Sequence, residues 1–144
     1  MSARDVILVP IDFEEASLKA LELAKELGPR LGCEVLLVHV YQLPVYTYPG
    51  LEPGILPGFH AEVTAAAKRA LSDLATRSGG LRSMLREGDP ATEILAAAEE
   101  LAPRMVIMGT HGRRGLTHLL LGSVAEKVVR RSTVPVLTVR VPPA

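Results

Sequence analysis

"VILVPIDFEEASLKALELAKELGPRLGCEVLLVHVY", residues 6–41, decides the fold. It opens on "VILVPI", Val6 to Ile11, which contains no polar side chain and so reads as a strand covered on both faces. From Glu14 to Gly32 the period changes: Leu18, Leu21, Ala24, Leu27 and Leu31 recur at three and four, which predicts a helix with those residues buried and Lys and Glu opposite. A second apolar run, "EVLLVHVY", follows from Glu34. Strand, helix, strand at this spacing is a parallel pair joined by a helical crossover.

The same alternation continues outward. Residues 42–58, "QLPVYTYPGLEPGILPG", are broken by prolines and glycines into a long surface excursion, of the kind that is usually functional or mobile. Helical pattern resumes near His60 and stops at Gly79 and Gly80, and "LRSMLREG" is a weaker third strand. Asp89 followed by Pro90, with Glu93 in the opening turns, marks a helix start. "RMVIMG", residues 104–109, is the fourth strand, Gly122 and Ser123 open a last helix through "VAEKVVRRS", and "VPVLTVRV", Val134 to Val141, is the fifth strand. Pro135 suits a sheet edge, where a missing backbone donor is tolerated. The pattern specifies an α/β protein with an open five-stranded parallel sheet, and residues 1–144 contain no repeat, linker or domain boundary.

Composition excludes several classes of function. Lys and Arg balance Asp and Glu at 16 each, so coating nucleic acid or an anionic membrane is not expected. The absence of Trp leaves little surface for stacking single-stranded bases. No apolar run approaches the length of a membrane span and no leader peptide is visible. Cys33 is the single cysteine, which rules out an intrachain disulfide, leaves a thiolate zinc site without ligands and suits a reducing cytoplasm; it reads as a small buried hydrophobe at a strand start. The charge is unevenly placed: residues 101–144 hold seven Lys or Arg and only Glu126 as an acid. Such a cluster suits a small, highly charged ligand, although arginines at helix ends would also produce it.

The chemistry is concentrated in "MGTHGRRGLTHLLLGS", Met108 to Ser123. It leaves the carboxyl end of the fourth strand and returns to the amino end of a helix, the place where open parallel sheets bind ligands. Glycines let main chain approach a ligand, successive amides form an anion nest, and the helix starting at Ser123 adds its N–H groups and dipole. Those features describe a phosphate cradle, though neither G-x-x-x-x-G-K-[ST] nor G-x-G-x-x-G is present. The plain alternative is a tightly packed turn in which Ser123 serves only as an N-cap. Asp12 likewise has two readings, a ligand acceptor or one half of a capping box with Glu15. His111 and His118 have no partner that marks either as a base, and His39, within an apolar strand, reads as a satisfied core residue.

The run "MGTHGRRGLTHLLLGSVAEKVVRRSTVPVLTVR" closely resembles the closing third of universal stress proteins, specifically the ATP-binding branch with its fingerprint G-x2-G-x9-G-[ST], which Gly109, Gly112, Gly122 and Ser123 match. "ILVPIDFEEASLKALELA", "VLLVHVY" and "GDPATEILAAAEE" extend the likeness over the chain. The resemblance implies a Rossmann-like three-layer sandwich with strand order 3-2-1-4-5, which would bring Asp12 opposite the glycine loop. It implies that Pro10, Ile11, Asp12 and Val40 hold adenine and ribose, that Met108 and Gly109 line the nucleotide, and that His111, Gly112, Arg113, Gly122, Ser123 and Val124 belong to the phosphate-facing stretch.

The function so implied is an ATP-dependent stress-response switch, with ATP accompanied by Mg2+ or Mn2+ held by phosphate oxygens and water rather than by a protein metal site. A homodimer built on Val134 to Val141 is implied with it, and an unknown protein partner is compatible. Hydrolysis or autophosphorylation would be slow, since beyond the cradle only Asp12, His111 and the Arg113–Arg114 pair offer themselves to a γ-phosphate. The alternatives are an interaction module of the same fold without nucleotide, an adenylate-transferring enzyme, whose S-G-G-x-D-S and H-x-G-H elements are missing, and a flavin carrier, for which aromatics are scarce.

Overall fold

The computed structural model describes residues 5–43, 45, 49–50, 52, 54, 58–110 and 121–142. Nine elements alternate along it: β1 (Val6–Pro10), α1 (Glu15–Leu31), β2 (Glu34–Tyr41), α2 (Phe59–Arg77), β3 (Arg82–Glu87), α3 (Pro90–Leu101), β4 (Met105–Gly109), α4 (Ser123–Arg131) and β5 (Val136–Val139). The strands form one sheet in the order β3-β2-β1-β4-β5, parallel at every pairing.

Side-chain alternation divides the core into two layers. Ile7, Val9, Val35, Leu37 and Ile107 face α1 and α2, while Val6, Leu8, Leu36, Val38, Val106 and Met108 face α3 and α4. β1 is buried along its whole length, as its unbroken apolar run requires. β3, at the outer edge, has exposed ends, which accounts for its weaker strand pattern.

Helix α1 departs from the expected packing. Its buried face is Ala16, Ser17, Ala20, Leu21, Ala24 and Gly28, whereas Leu18 is 36% exposed and Leu27 and Leu31 only flank the core. The reason is close approach. A Cβ on Gly109 would stand 2.6 Å from Ala16 Cβ and 2.7 Å from Ala16 C, and one on Gly28 would stand 2.9 Å from Cys33 O. Residues 16, 20, 24 and 28, one column at the helical repeat of four, must be small for α1 to lie that near the sheet.

The ends of the helices follow the sequence in one case and depart from it in two. Asp89 caps α3, its Oδ2 accepting from Thr92 N–H at 3.0 Å and Thr92 Oγ1 at 2.8 Å. The Asp12–Glu15 capping box does not form: the N-cap of α1 is Glu14, without a side-chain bond, and Asp12 Oδ1 instead accepts from Glu14 N–H at 2.9 Å, ahead of the helix. Nor is Ser123 the cap of α4; Gly122 occupies that position and Ser123 is the first helical residue. β5 spans four residues rather than the eight from Val134 to Val141. Its start is delayed by a turn in which Ser132 Oγ accepts from Val134 N–H and donates to Val134 O. Cys33 is half-buried and lies just before β2. His39 is half-buried, with a hydrogen bond to Ile11 O. Among the described residues no helix is long and apolar enough to cross a membrane.

Candidate functional site

β1 and β4 are neighbours, yet the chain leaves β1 toward β2 and leaves β4 toward β5. That divergence opens a crevice at the carboxyl ends of the strands. A cleft of about 630 Å³ occupies it, within the range of small-molecule and cofactor sites.

The cleft is built from the ends of six elements. Pro10, Ile11 and Asp12 enter from the end of β1, Val38, Val40 and Gln42 from β2, and Met108, Gly109 and Thr110 from β4. Gly122, Ser123, Val124 and Ala125 form the opposite wall at the start of α4, Asp89, Pro90 and Ile94 come from the start of α3, and Glu14 and Ser17 from the start of α1. Every expected site residue within the described chain therefore meets the others around one space. His111, Gly112 and Arg113 lie outside the described residues, as does His118.

Several lining residues were not anticipated from sequence: Glu14, Ser17, Gln42, Asp89, Ile94 and Thr110. A signal for Asp89 existed. In a parallel sheet each crossover helix starts at the carboxyl end of its strand, so an N-cap lies at the ligand end of the fold. Thr110 is 2% exposed; its N–H donates to Val139 O at 3.0 Å and its carbonyl accepts from Gly122 N–H at 2.6 Å. The second bond ties the end of β4 to the start of α4 and closes the glycine segment at its base.

Three helix N-termini open on the cleft, those of α1, α3 and α4, and the last two differ in chemistry. That of α3 is already occupied by the Asp89 carboxylate, whose pKa is lowered by the Thr92 backbone and side-chain hydrogen bonds. That of α4 begins at Gly122, which has no side chain to cap it, so among the described residues its first-turn amides and dipole are open to an acceptor in the cleft. Gly122 has φ −74° and ψ 172°, a conformation open to any residue, so its backbone shape does not demand glycine. Gly109, by contrast, must be glycine to admit α1.

The charged lining also departs from expectation. Among the described residues the cleft presents the carboxylates of Asp12, Glu14 and Asp89 and no lysine or arginine. Of the basic residues in the last third, Arg130 and Arg131 occupy the last turn of α4, where they complement the helix dipole. Arg86, on β3, braces α3 from outside the cleft, with Nε 3.0 Å from Glu93 Oε1 and a bidentate pair to Glu100 at 3.1 and 3.2 Å. The Glu100 bonds chiefly, with Glu93, raise the Arg86 pKa, and Arg86 lowers that of Glu100.

The family model described as "Universal stress protein family" matches residues 3–140. This chain belongs to the universal stress protein family. Universal stress protein YxiE of Bacillus subtilis is 33% identical, with 93% of this chain and 97% of that protein aligned. Universal stress protein MJ0531 of Methanocaldococcus jannaschii is 30% identical over 94% of this chain and 82% of its own length. The solved structure of MJ0577, a universal stress protein of that organism, superposes with a TM-score of 0.79 at 27% identity over 99% of both chains. A universal stress protein solved in complex with cAMP superposes with a TM-score of 0.61 at 26% identity, covering 96% of this chain and 98% of that one. The five-stranded order 3-2-1-4-5 is thus the observed fold of a family member.

Proposed function

We propose that this universal stress protein binds ATP, as its Mg2+ or Mn2+ complex, in the cleft between β1 and β4, and acts as a nucleotide-dependent switch in the cytoplasm. The observation that carries the reading is the uncapped start of α4 facing the cleft beside the ends of β1 and β4. In this reading the first-turn amides at Ser123 and Val124, with Gly112, Arg113 and His111 from the adjoining segment, receive the phosphates. Pro10, Ile11, Asp12 and Val40 receive adenine and ribose, with Met108 and Gly109 beneath. The acidic rim of Asp12, Glu14 and Asp89 favours a triphosphate whose charge is already partly neutralised by its cation. Hydrolysis is slow in this reading, because among the described residues the phosphate end presents no base oriented by a third group.

The structure of a family member in complex with cAMP supports a second reading, a cyclic mononucleotide in the same cleft. Denaturing the purified protein and identifying the released nucleotide, followed by titration of the emptied protein with ATP, AMP and cAMP, separates the two. ATP or ADP released, with ATP the tightest ligand, is the expected outcome; preferential cAMP binding favours the second reading, and no binding of any nucleotide leaves the interaction module. We further propose that β5, the edge strand opposite β3, pairs in a homodimer built on residues 134–141, since an apolar edge left open invites uncontrolled association.

A further inference from the structure

The turn that delivers Asp12 to the cleft is strained, and one side chain on the far face of the sheet holds both of its flanks. Phe13 has φ 65°, a left-handed conformation rare for a bulky residue. Its ring and that of His39 meet edge to face, with centroids 4.8 Å apart and planes inclined at 63°. His39 Nδ1 is 2.7 Å from Ile11 O. A carbonyl oxygen only accepts, so Nδ1 carries the proton and donates. The residue before Asp12 and the residue after it are therefore both anchored to the same imidazole.

His39 follows Val35 and Leu37 on the α1 and α2 side of β2, whereas Val38 and Val40 line the cleft. It is not among the described lining residues of the cleft and reaches the site through the turn. Between the two anchors, Asp12 N–H donates to Ser17 Oγ at 3.3 Å, Ser17 Oγ donates to Glu14 O at 3.1 Å and Asp12 Oδ1 takes the Glu14 N–H. Among the described residues that leaves Asp12 Oδ2 open to an external donor.

We propose that His39 is a positioning residue of the cleft: by clamping Ile11 and Phe13 it holds the β1–α1 turn in the left-handed conformation that presents the Asp12 carboxylate. Its consequence for ligand affinity rests on the ATP reading above; the clamp itself does not. Asparagine at 39 places Nδ2–H where the imidazole has Nδ1–H and keeps the bond to Ile11 O, while alanine loses it. Glycine at 13 adopts a positive φ freely and needs no ring anchor, while leucine keeps the strain and loses the edge contact.

The test combines amide hydrogen exchange with Mg-ATP titration of the intact protein. His39→Ala is expected to speed exchange at Asp12 and Glu14 about tenfold relative to β4 amides and to weaken ATP about tenfold, with His39→Asn recovering most of both. Phe13→Leu is expected to weaken ATP by about threefold while Phe13→Gly stays within about twofold of the parent; this pair decides the matter if His39→Ala does not fold. Unchanged exchange at Asp12 and Glu14 in His39→Ala, faster exchange there without loss of ATP affinity, or equal effects of leucine and glycine at 13 would each overturn the proposal. Failure of the parent protein to bind ATP sinks the nucleotide reading alone, and the exchange pattern then decides the clamp.

Discussion

Gly109 and Gly122 belong to the same fingerprint, and the structure separates what each does. A methyl group at 109 would press on the backbone of α1 at Ala16 and Ser17, where overpacking costs about 1–3 kcal/mol. Gly109→Ala is thus expected to lower the melting temperature of the nucleotide-free protein by several degrees, measured by calorimetry. Gly122 is buried but has an extended backbone that any residue adopts, so Gly122→Val is expected to leave the nucleotide-free protein folded and to abolish the rise in melting temperature produced by Mg-ATP. The fingerprint itself was plain in the sequence. The division of labour within it was not, because the demand on Gly109 comes from a helix more than 90 residues earlier in the chain. The same holds for the hydrogen bond from His39 to Ile11, which spans 28 residues and leaves no local pattern.

At the scale of elements, the apolar strands and the Asp89 cap were legible because their causes are local: burial on both faces makes an unbroken apolar run, and a cap needs only the next three residues. The buried face of α1 was misread because leucines weigh more in a periodicity count than the alanine column that close packing selects. The contribution of α3 to the cleft was missed for a different reason, since a cap read as local chemistry says nothing about where its helix begins in space. The link between α3 and β3 has its own test. Glu100 is ionised more readily in the fold than out of it because of Arg86, so its contribution to stability is present above the ordinary glutamate range and is lost as pH falls through the lowered value. Asp89 behaves in the same direction. Denaturant melts between about pH 6 and about pH 3 should show Arg86→Met losing less stability on acidification than the parent protein; identical losses would remove the fork from the account.

For the molecule as a whole, the order 3-2-1-4-5 converts separate strand ends into one cleft and leaves β5 as an edge. Val106 N–H donates to Pro135 O and Thr110 N–H to Val139 O, so the odd positions of β5 turn their backbone groups toward β4 and Thr138 turns its own outward. Thr138→Pro removes an outward donor at a position where proline is tolerated. It is expected to sediment as a monomer with an unchanged far-ultraviolet spectrum, against a dimer for the parent protein; a monomeric parent would contradict the proposed assembly. The most direct test of the central claim is calorimetric titration of the nucleotide-free protein with Mg-ATP. The account predicts one saturable site per chain that disappears in Gly122→Val, and a titration with no binding heat at several temperatures, or with identical binding by that variant, would contradict it.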